Sequence, residues 1–340
     1  MEEQQLIWEW TAANEVRQRT AERSQPQEGQ VEIAISSIGI CGTDLHILSG
    51  EAGFSNPPLP LGHELAGIVT QVGEHAGDWN VGDRVCIDPL MGCGRCPACL
   101  AGNKHHCPQG GEIGLHYAGG WQQYLVVPAN NIYLVPDSVT LDEASQAETI
   151  HCCLGAVDKL NIRLGMAATV VGDGPTGLYF VQLLKAAGAS PVTLIGMQPS
   201  RLVLGQQLGA DVIVNLSEPD GQSMPAADTQ SIVIEAAGEE AALRTAICLL
   251  GKGGQLLLFG LPAVPVAVDI QSIVMKELRL LGSTNAPHVW PRVLQMIDSG
   301  AVRVQPLITQ RYHFGELDEA LTFVRNNPQQ AIKVIVNLDQ

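Results

Sequence analysis

Residues 170–178 read VVGDGPTGL. Gly172, Gly174 and Gly177 stand in G-x-G-x-x-G spacing, after a β-type run (ATVV) and at the mouth of a helical one (PTGLYFVQLLKAAGA). In that context the first glycine permits a tight turn and the second lets backbone approach a pyrophosphate. The third allows a helix to pack closely on a strand. Pro175 and Thr176 open the helix, whose first N–H groups and dipole favour phosphate. The stretch predicts a dinucleotide-binding turn built from Gly172, Gly174, Pro175, Thr176 and Gly177.

Downstream, strand and helix patterns alternate. PVTLIG, DVIVN, SIVIEAAG and QLLLFGL read as strands, while PSRLVLGQQLGA and residues 240–250 read as helices. Such alternation implies an α/β unit with a doubly wound parallel sheet covered on both faces. An acid normally ends the second strand and binds the adenosine-side ribose 2′-OH. Gly196 stands there, and no carboxylate occurs between it and Arg201. With the repulsion of an acid removed and Arg201 near, the cofactor is expected to be NADP or NAD, with the balance towards NADP.

Upstream the pattern changes. Residues 31–40, 65–87 and 121–135 show short β-type runs broken by turns, as in an antiparallel β-rich domain. Within it lies CGRCPACLAGNKHHC, in which Cys93, Cys96, Cys99 and Cys107 are spaced C-x2-C-x2-C-x7-C. Two-residue gaps let thiolates converge on one ion, and a four-thiolate set suits a closed structural zinc site. A ferredoxin run would continue with three residues and Cys-Pro, so zinc is favoured over an iron–sulfur cluster.

A second metal set is more dispersed. Cys41 lies in GICGTDLH, and His63 with Glu64 in PLGHELAG. A thiolate and an imidazole with room for one more ligand make an open, catalytic zinc set. The third ligand is read, in order, as Glu148, Glu64 or Cys152. Thr43 and His46 follow Cys41 by two and five residues. A hydroxyl beside the metal and an imidazole nearer solvent can relay a proton, so both are candidate catalytic residues. The alternatives for them are a turn residue and a surface histidine.

The 340 residues exceed one ordinary core, which implies about two domains. The formal net charge of −16 argues against nucleic acid or an anionic membrane as partner. Nine cysteines and an N-terminus without a signal pattern argue against a disulfide framework. No apolar run approaches the roughly 18 residues that span a bilayer. A cytoplasmic protein is expected.

Together these residues resemble the medium-chain dehydrogenase/reductase family, in its zinc-containing alcohol and polyol dehydrogenase branch. The resemblance covers nearly the whole chain: GICGTDLHIL, GHELAGIVTQVG, the four-cysteine lobe, GGWQQYLVVP, VVGDGPTGL and AIKVIV. It is nearest the threonine, sorbitol and other polyol dehydrogenases, which carry GICGTD and a Glu near Glu148. Two departures stand out: their Glu-Pro-Leu is Glu148-Thr149-Ile150 here, and their strand-end acid is Gly196. The resemblance implies a Rossmann domain over residues 148–287 and a β-rich GroES-like catalytic domain over residues 1–147, to which 288–340 return. It implies two zinc ions per chain, one catalytic and one structural, and hydride transfer between a small secondary alcohol and NAD(P). The alcohol is expected to be a polyol, sugar alcohol or amino alcohol. The alternatives are a simple secondary-alcohol dehydrogenase or carbonyl reductase and, in another class, a non-catalytic zinc-stabilised dinucleotide-binding protein. A homodimer or homotetramer is expected, with sheets pairing through QLLLFGL at 255–261. His116, Tyr117, Trp121 and Trp290 are candidates for the pocket border or for packing.

Overall fold

A computed structural model describes residues 4–50, 53, 55–218 and 224–338. The chain forms two compact units, Met1–Thr149 with Pro287–Asp298 and Leu307–Gln340, and Ile150–Ala286 with Ser299–Pro306.

The first unit opens with a hairpin, β1 (Gln4–Ala12) and β2 (Glu15–Glu22), which turns at Asn14 in the left-handed region (φ 58). Its long strand β3 (Gln30–Ile40) buries Val31, Ile33 and Ile35, then Ile38 and Ile40. The switch from odd to even positions would break a strict period of two. A register shift between Ile35 and Ser37, opposite β4 (Glu64–Val72), supplies the extra residue, so both halves keep their apolar side chains in the core. Helix α1 (Gly42–Leu48) follows at once, with Cys41 as its N-cap. Then come β5 (Arg84–Ile87), β6 (Leu90–Met91), α2 (Pro97–Leu100), β7 (Gly111–Glu112), β8 (Tyr124–Pro128) and β9 (Ile132–Leu134). Helix α3 (Leu141–Ser145) begins with a capping box of Thr140 and Glu143, and α4 (Ala147–Val157) follows.

Among the described residues the second unit has six strands: β10 (Ala168–Val171), β11 (Val192–Gly196), β12 (Val212–Asn215), β13 (Gln230–Glu235), β14 (Leu250–Leu258) and β15 (Arg279–Gly282). Between them run α5 (Pro175–Ala186), α6 (Pro199–Gln207), α7 (Glu240–Leu249) and α8 (Ile270–Met275). Every pairing is parallel and the order is β12-β11-β10-β13-β14-β15, the doubly wound Rossmann arrangement. The order reverses between β10 and β13, which is where ligands bind in such sheets.

The chain then returns through α9 (Trp290–Asp298), β16 (Ile308–His313), α10 (Leu317–Asn326) and β17 (Lys333–Asn337). Strand β17 pairs antiparallel with β3, completing the seven-stranded GroES-like sheet of the first unit. Among the described residues no helix is long and apolar enough to cross a membrane.

Two expectations are revised. QLLLFGL does not offer a free edge: β14 lies between β13 and β15, and the edge strand is Arg279–Gly282. Trp121 and Trp290 are fully buried, Trp290 stacking on Tyr133, so both are packing residues, while His116 and Tyr117 are exposed.

Candidate active site

The metal candidates converge where β3, α1 and β4 meet. Ligand atoms of Cys41, His63 and Glu64 lie within 4.8 Å of one another. Glu64 pairs opposite Gly39 across β3 and β4, and an added Cβ at Gly39 would come 2.1 Å from Glu64 Oε2. The glycine of GICG therefore makes room for this carboxylate. Glu64 Oε1 accepts from Thr149 Oγ1 at 2.6 Å and pairs with the Lys333 ammonium, which also donates to Thr149 Oγ1 at 3.0 Å. Burial raises the Glu64 pKa, but Lys333 and His63 outweigh it and hold the group below the usual carboxylate range. Its other oxygen, Oε2, is buried without a hydrogen-bond partner. A carboxylate grouped with a thiol and an imidazole, one of its buried oxygens without a hydrogen-bond partner among the described residues, fits a cation.

Asp44 and Lys333 were not singled out by sequence reasoning. Asp44 is fully buried, accepts from Cys41 N–H at 3.0 Å and sets its Oδ1 3.3 Å from His63 Nδ1. A carboxylate beside one ring nitrogen favours a proton there and leaves the other nitrogen for a metal. Burial opposes the imidazolium, yet Asp44 and Cys41 beside it lift the His63 pKa well above the ordinary value.

Glu148, at the start of α4, is buried, and burial pushes its pKa up to about 8, with His63 pulling the other way. Its carboxylate groups with His151 and Cys152 within 4.8 Å. The Cys152 thiol donates to Asn285 Oδ1 at 3.2 Å. Thr43 Oγ1 lies 3.7 Å from Cys41 Sγ. His46 stands three residues further along α1 and is exposed.

In the lobe, the sulfur atoms of Cys93, Cys96, Cys99 and Cys107 lie within 4.8 Å of one another, and all four are free thiols. Backbone N–H groups of Cys93, Cys96 and Cys99 point at the sulfurs of Cys107, Cys93 and Cys96, each at 3.4 Å. Backbone donors of Arg95 and Cys96 draw the Cys93 thiol down to about 6. Four converging sulfurs with N–H donors that favour thiolate fit a closed metal site.

The glycine turn has the geometry its spacing implies. Gly172 adopts φ 121, and a Cβ at Gly177 would lie 1.9 Å from Gly172 O. Gly174 caps α5 and has open space around it, a cradle that a side chain would fill. Although no carboxylate lies between Gly196 and Arg201, an acid from elsewhere in the chain does reach the end of β11. Asp173, from the glycine turn, places its carboxylate against Gly196, with Cγ and Oδ2 each 2.4 Å from where a Cβ would sit. The sequence hid this because Asp173 belongs to a different loop from the one that usually supplies the acid.

Residues 27–137 match the alcohol dehydrogenase GroES-like domain, and residues 175–299 the zinc-binding dehydrogenase domain. The chain is 30% identical to a sorbitol dehydrogenase of Bacillus subtilis (strain 168), over 90% of each protein. It is 32% identical to an L-threonine 3-dehydrogenase of the same organism, again over 90% of each. A structure from Sinorhizobium meliloti 1021, described as a zinc-binding dehydrogenase bound to NADP, superposes with a TM-score of 0.90 at 30% identity, covering 99% of this chain and 100% of that one. The Rossmann and GroES-like units, the paired cysteine and histidine motifs and these relatives lead to one conclusion: the chain belongs to the zinc-containing medium-chain dehydrogenase/reductase family, in its NAD(P)-dependent alcohol and polyol dehydrogenase branch.

Proposed function

We propose that this dehydrogenase acts on the secondary hydroxyl of a small polyol, sugar alcohol or amino alcohol, with two zinc ions per chain. Cys41, His63 and Glu64 would hold the catalytic ion, with Glu148 the further carboxylate available to it. Cys93, Cys96, Cys99 and Cys107 would hold the structural one. When bound, zinc supplies Lewis-acid polarisation of the hydroxyl and the nicotinamide supplies the hydride acceptor. The chain's own residues then handle the proton. Thr43 Oγ1 accepts the hydroxyl hydrogen bond, and exposed His46, one turn along α1, carries the proton to water. Gly172, Gly174, Pro175, Thr176 and Gly177 seat the pyrophosphate against the start of α5.

The observation that carries the reading is the convergence of Cys41, His63 and Glu64 beside Thr43. It is tested by metal analysis with a screen of polyols, sugar alcohols and amino alcohols against NAD and NADP. Zinc-replete protein that reduces neither dinucleotide with any of them refutes the activity. One zinc per chain refutes the two-ion count and favours a binding protein.

We further propose that two copies pair in a homodimer through β15. Its outer edge is unpaired among the described strands, and Leu280 within it is exposed, as are Ile270, Val274 and Met275 of the preceding α8. Leu280→Glu is expected to yield monomers in light scattering; an unchanged mass for wild type and variant overturns the pairing.

A further inference from the structure

Asp173 stands between the first two glycines of the cofactor turn, and nine-tenths of it is buried (9% exposed). Its Oδ2 accepts from two backbone N–H groups, those of Met197 at 2.9 Å and Gln198 at 2.7 Å. These two residues link β11 to α6, and Gln198 is the N-cap of α6. Gly196 has no need of a left-handed backbone. It is glycine at a place where any Cβ would strike the Asp173 carboxylate.

Two consequences follow. In doubly wound sheets the end of the second strand is where an acid receives the ribose 2′-OH. Here that volume is filled by a carboxylate from residue 173. Second, N–H groups at a helix N-terminus are donors that an incoming phosphate would use. Those of Met197 and Gln198 are already spent on Asp173.

We propose that Asp173 selects the cofactor's adenosine-side ribose from the glycine turn, favouring the free 2′-hydroxyl of NAD over the 2′-phosphate of NADP. The proposal rests on the dinucleotide site described above. A 2′-phosphate carries about −1.5 to −2 charges at neutral pH. It would meet a fixed carboxylate and two occupied donors, whereas a ribose hydroxyl can donate to that carboxylate. Arg201, in the first turn of α6, does not reverse the sign. Its one positive charge is offset by the neighbouring Asp173 carboxylate, which acts on it electrostatically, so the two together present little net positive charge. This proposal runs against the balance towards NADP expected from the missing strand-end acid.

The test is calorimetric binding of NAD, NADP, ADP-ribose and 2′-phospho-ADP-ribose to the full-length protein. The last two lack the nicotinamide, so the readout is independent of turnover. Wild type is expected to bind NAD and ADP-ribose at least tenfold more tightly than their 2′-phosphorylated partners. Asp173→Asn keeps an acceptor oxygen for both amides and removes the charge, and should narrow both ratios severalfold. Asp173→Ser vacates the amides and should bring NADP level with NAD or ahead of it. Equal or tighter binding of the phosphorylated ligands by wild type overturns the proposal, even if the serine variant fails to fold. So does an Asp173→Asn protein with unchanged ratios. Wild type that binds none of the four refutes the dinucleotide site itself.

Discussion

The Lys333 ammonium is ion-paired with the Glu64 carboxylate in the interior of the first unit, each side chain at most 3% exposed. Removing one partner of such a pair strands a buried charge, at a cost of about 3–5 kcal/mol. Lys333→Met should therefore lose about that much stability in urea unfolding. A loss below about 1 kcal/mol would show that Glu64 finds another counter-charge.

Asp44 sets its Oδ1 3.3 Å from His63 Nδ1. Asp44→Asn should keep the fold and weaken metal affinity by about 10–100-fold, the usual cost of removing a carboxylate behind a ligating histidine. Chelator competition followed by metal analysis measures it. Unaltered affinity would reduce the 3.3 Å contact to packing.

The lobe and the active site should separate. Cys96→Ser opens a closed four-ligand set whose metal contributes to folding. Lower thermal stability is expected, with loss of one zinc per chain and retention of the other. Cys41→Ala should do the reverse, abolishing turnover and sparing dinucleotide binding, because the glycine turn lies in the second unit. If either substitution removed both ions, the two sites would not be independent.

His46 is exposed on α1 and is assigned to proton release, not to binding. His46→Ala should slow alcohol oxidation most at neutral and lower pH, and small buffer bases should restore part of the rate. A pH–rate profile that overlays that of wild type would take His46 out of the relay.

Acid sensitivity should involve Glu32. Burial raises its pKa, but the Arg23 guanidinium, donating twice at 2.6 Å, leads Thr70 and Gln71 in holding it below the usual range. A folded value below the unfolded one means the contribution is fully present above about pH 4.3 and is lost as pH falls through the folded value. Glu32→Gln should flatten that part of the stability curve while lowering stability at neutral pH. An unchanged slope below the ordinary carboxylate range would remove Glu32 from the acid response.

What the sequence made legible was local. The glycine turn, the four-cysteine lobe and most strands of both sheets could be read because their determinants lie within a few residues of each other. The hairpin β1–β2 was missed because β2 (EVRQRTAE) is almost wholly exposed and carries no apolar alternation. Lys333 sits 269 residues from Glu64, and nothing in AIKVIV separates a buried counter-ion from a strand-edge lysine. Asp173 was visible as a residue in VVGDGPTGL but not as the acid of the ribose pocket, because its carboxylate reaches from one loop to the amides of another. Side-chain direction out of a turn is set by tertiary packing, which spacing does not encode.

The antiparallel seam between β3 and β17 has a consequence for biosynthesis. A ribosome finishes Cys41, His63 and Glu64 long before it reaches Lys333. Until then the C-terminal half of β3 lacks its β17 neighbour, and the Glu64 carboxylate lacks its cation. The Rossmann strands, contiguous from residue 168 to 282, can meanwhile pair with one another. The nascent Cys41–His63–Glu64 cluster is therefore incomplete and net-acidic throughout most of translation, and its charge balance closes only when β17 emerges.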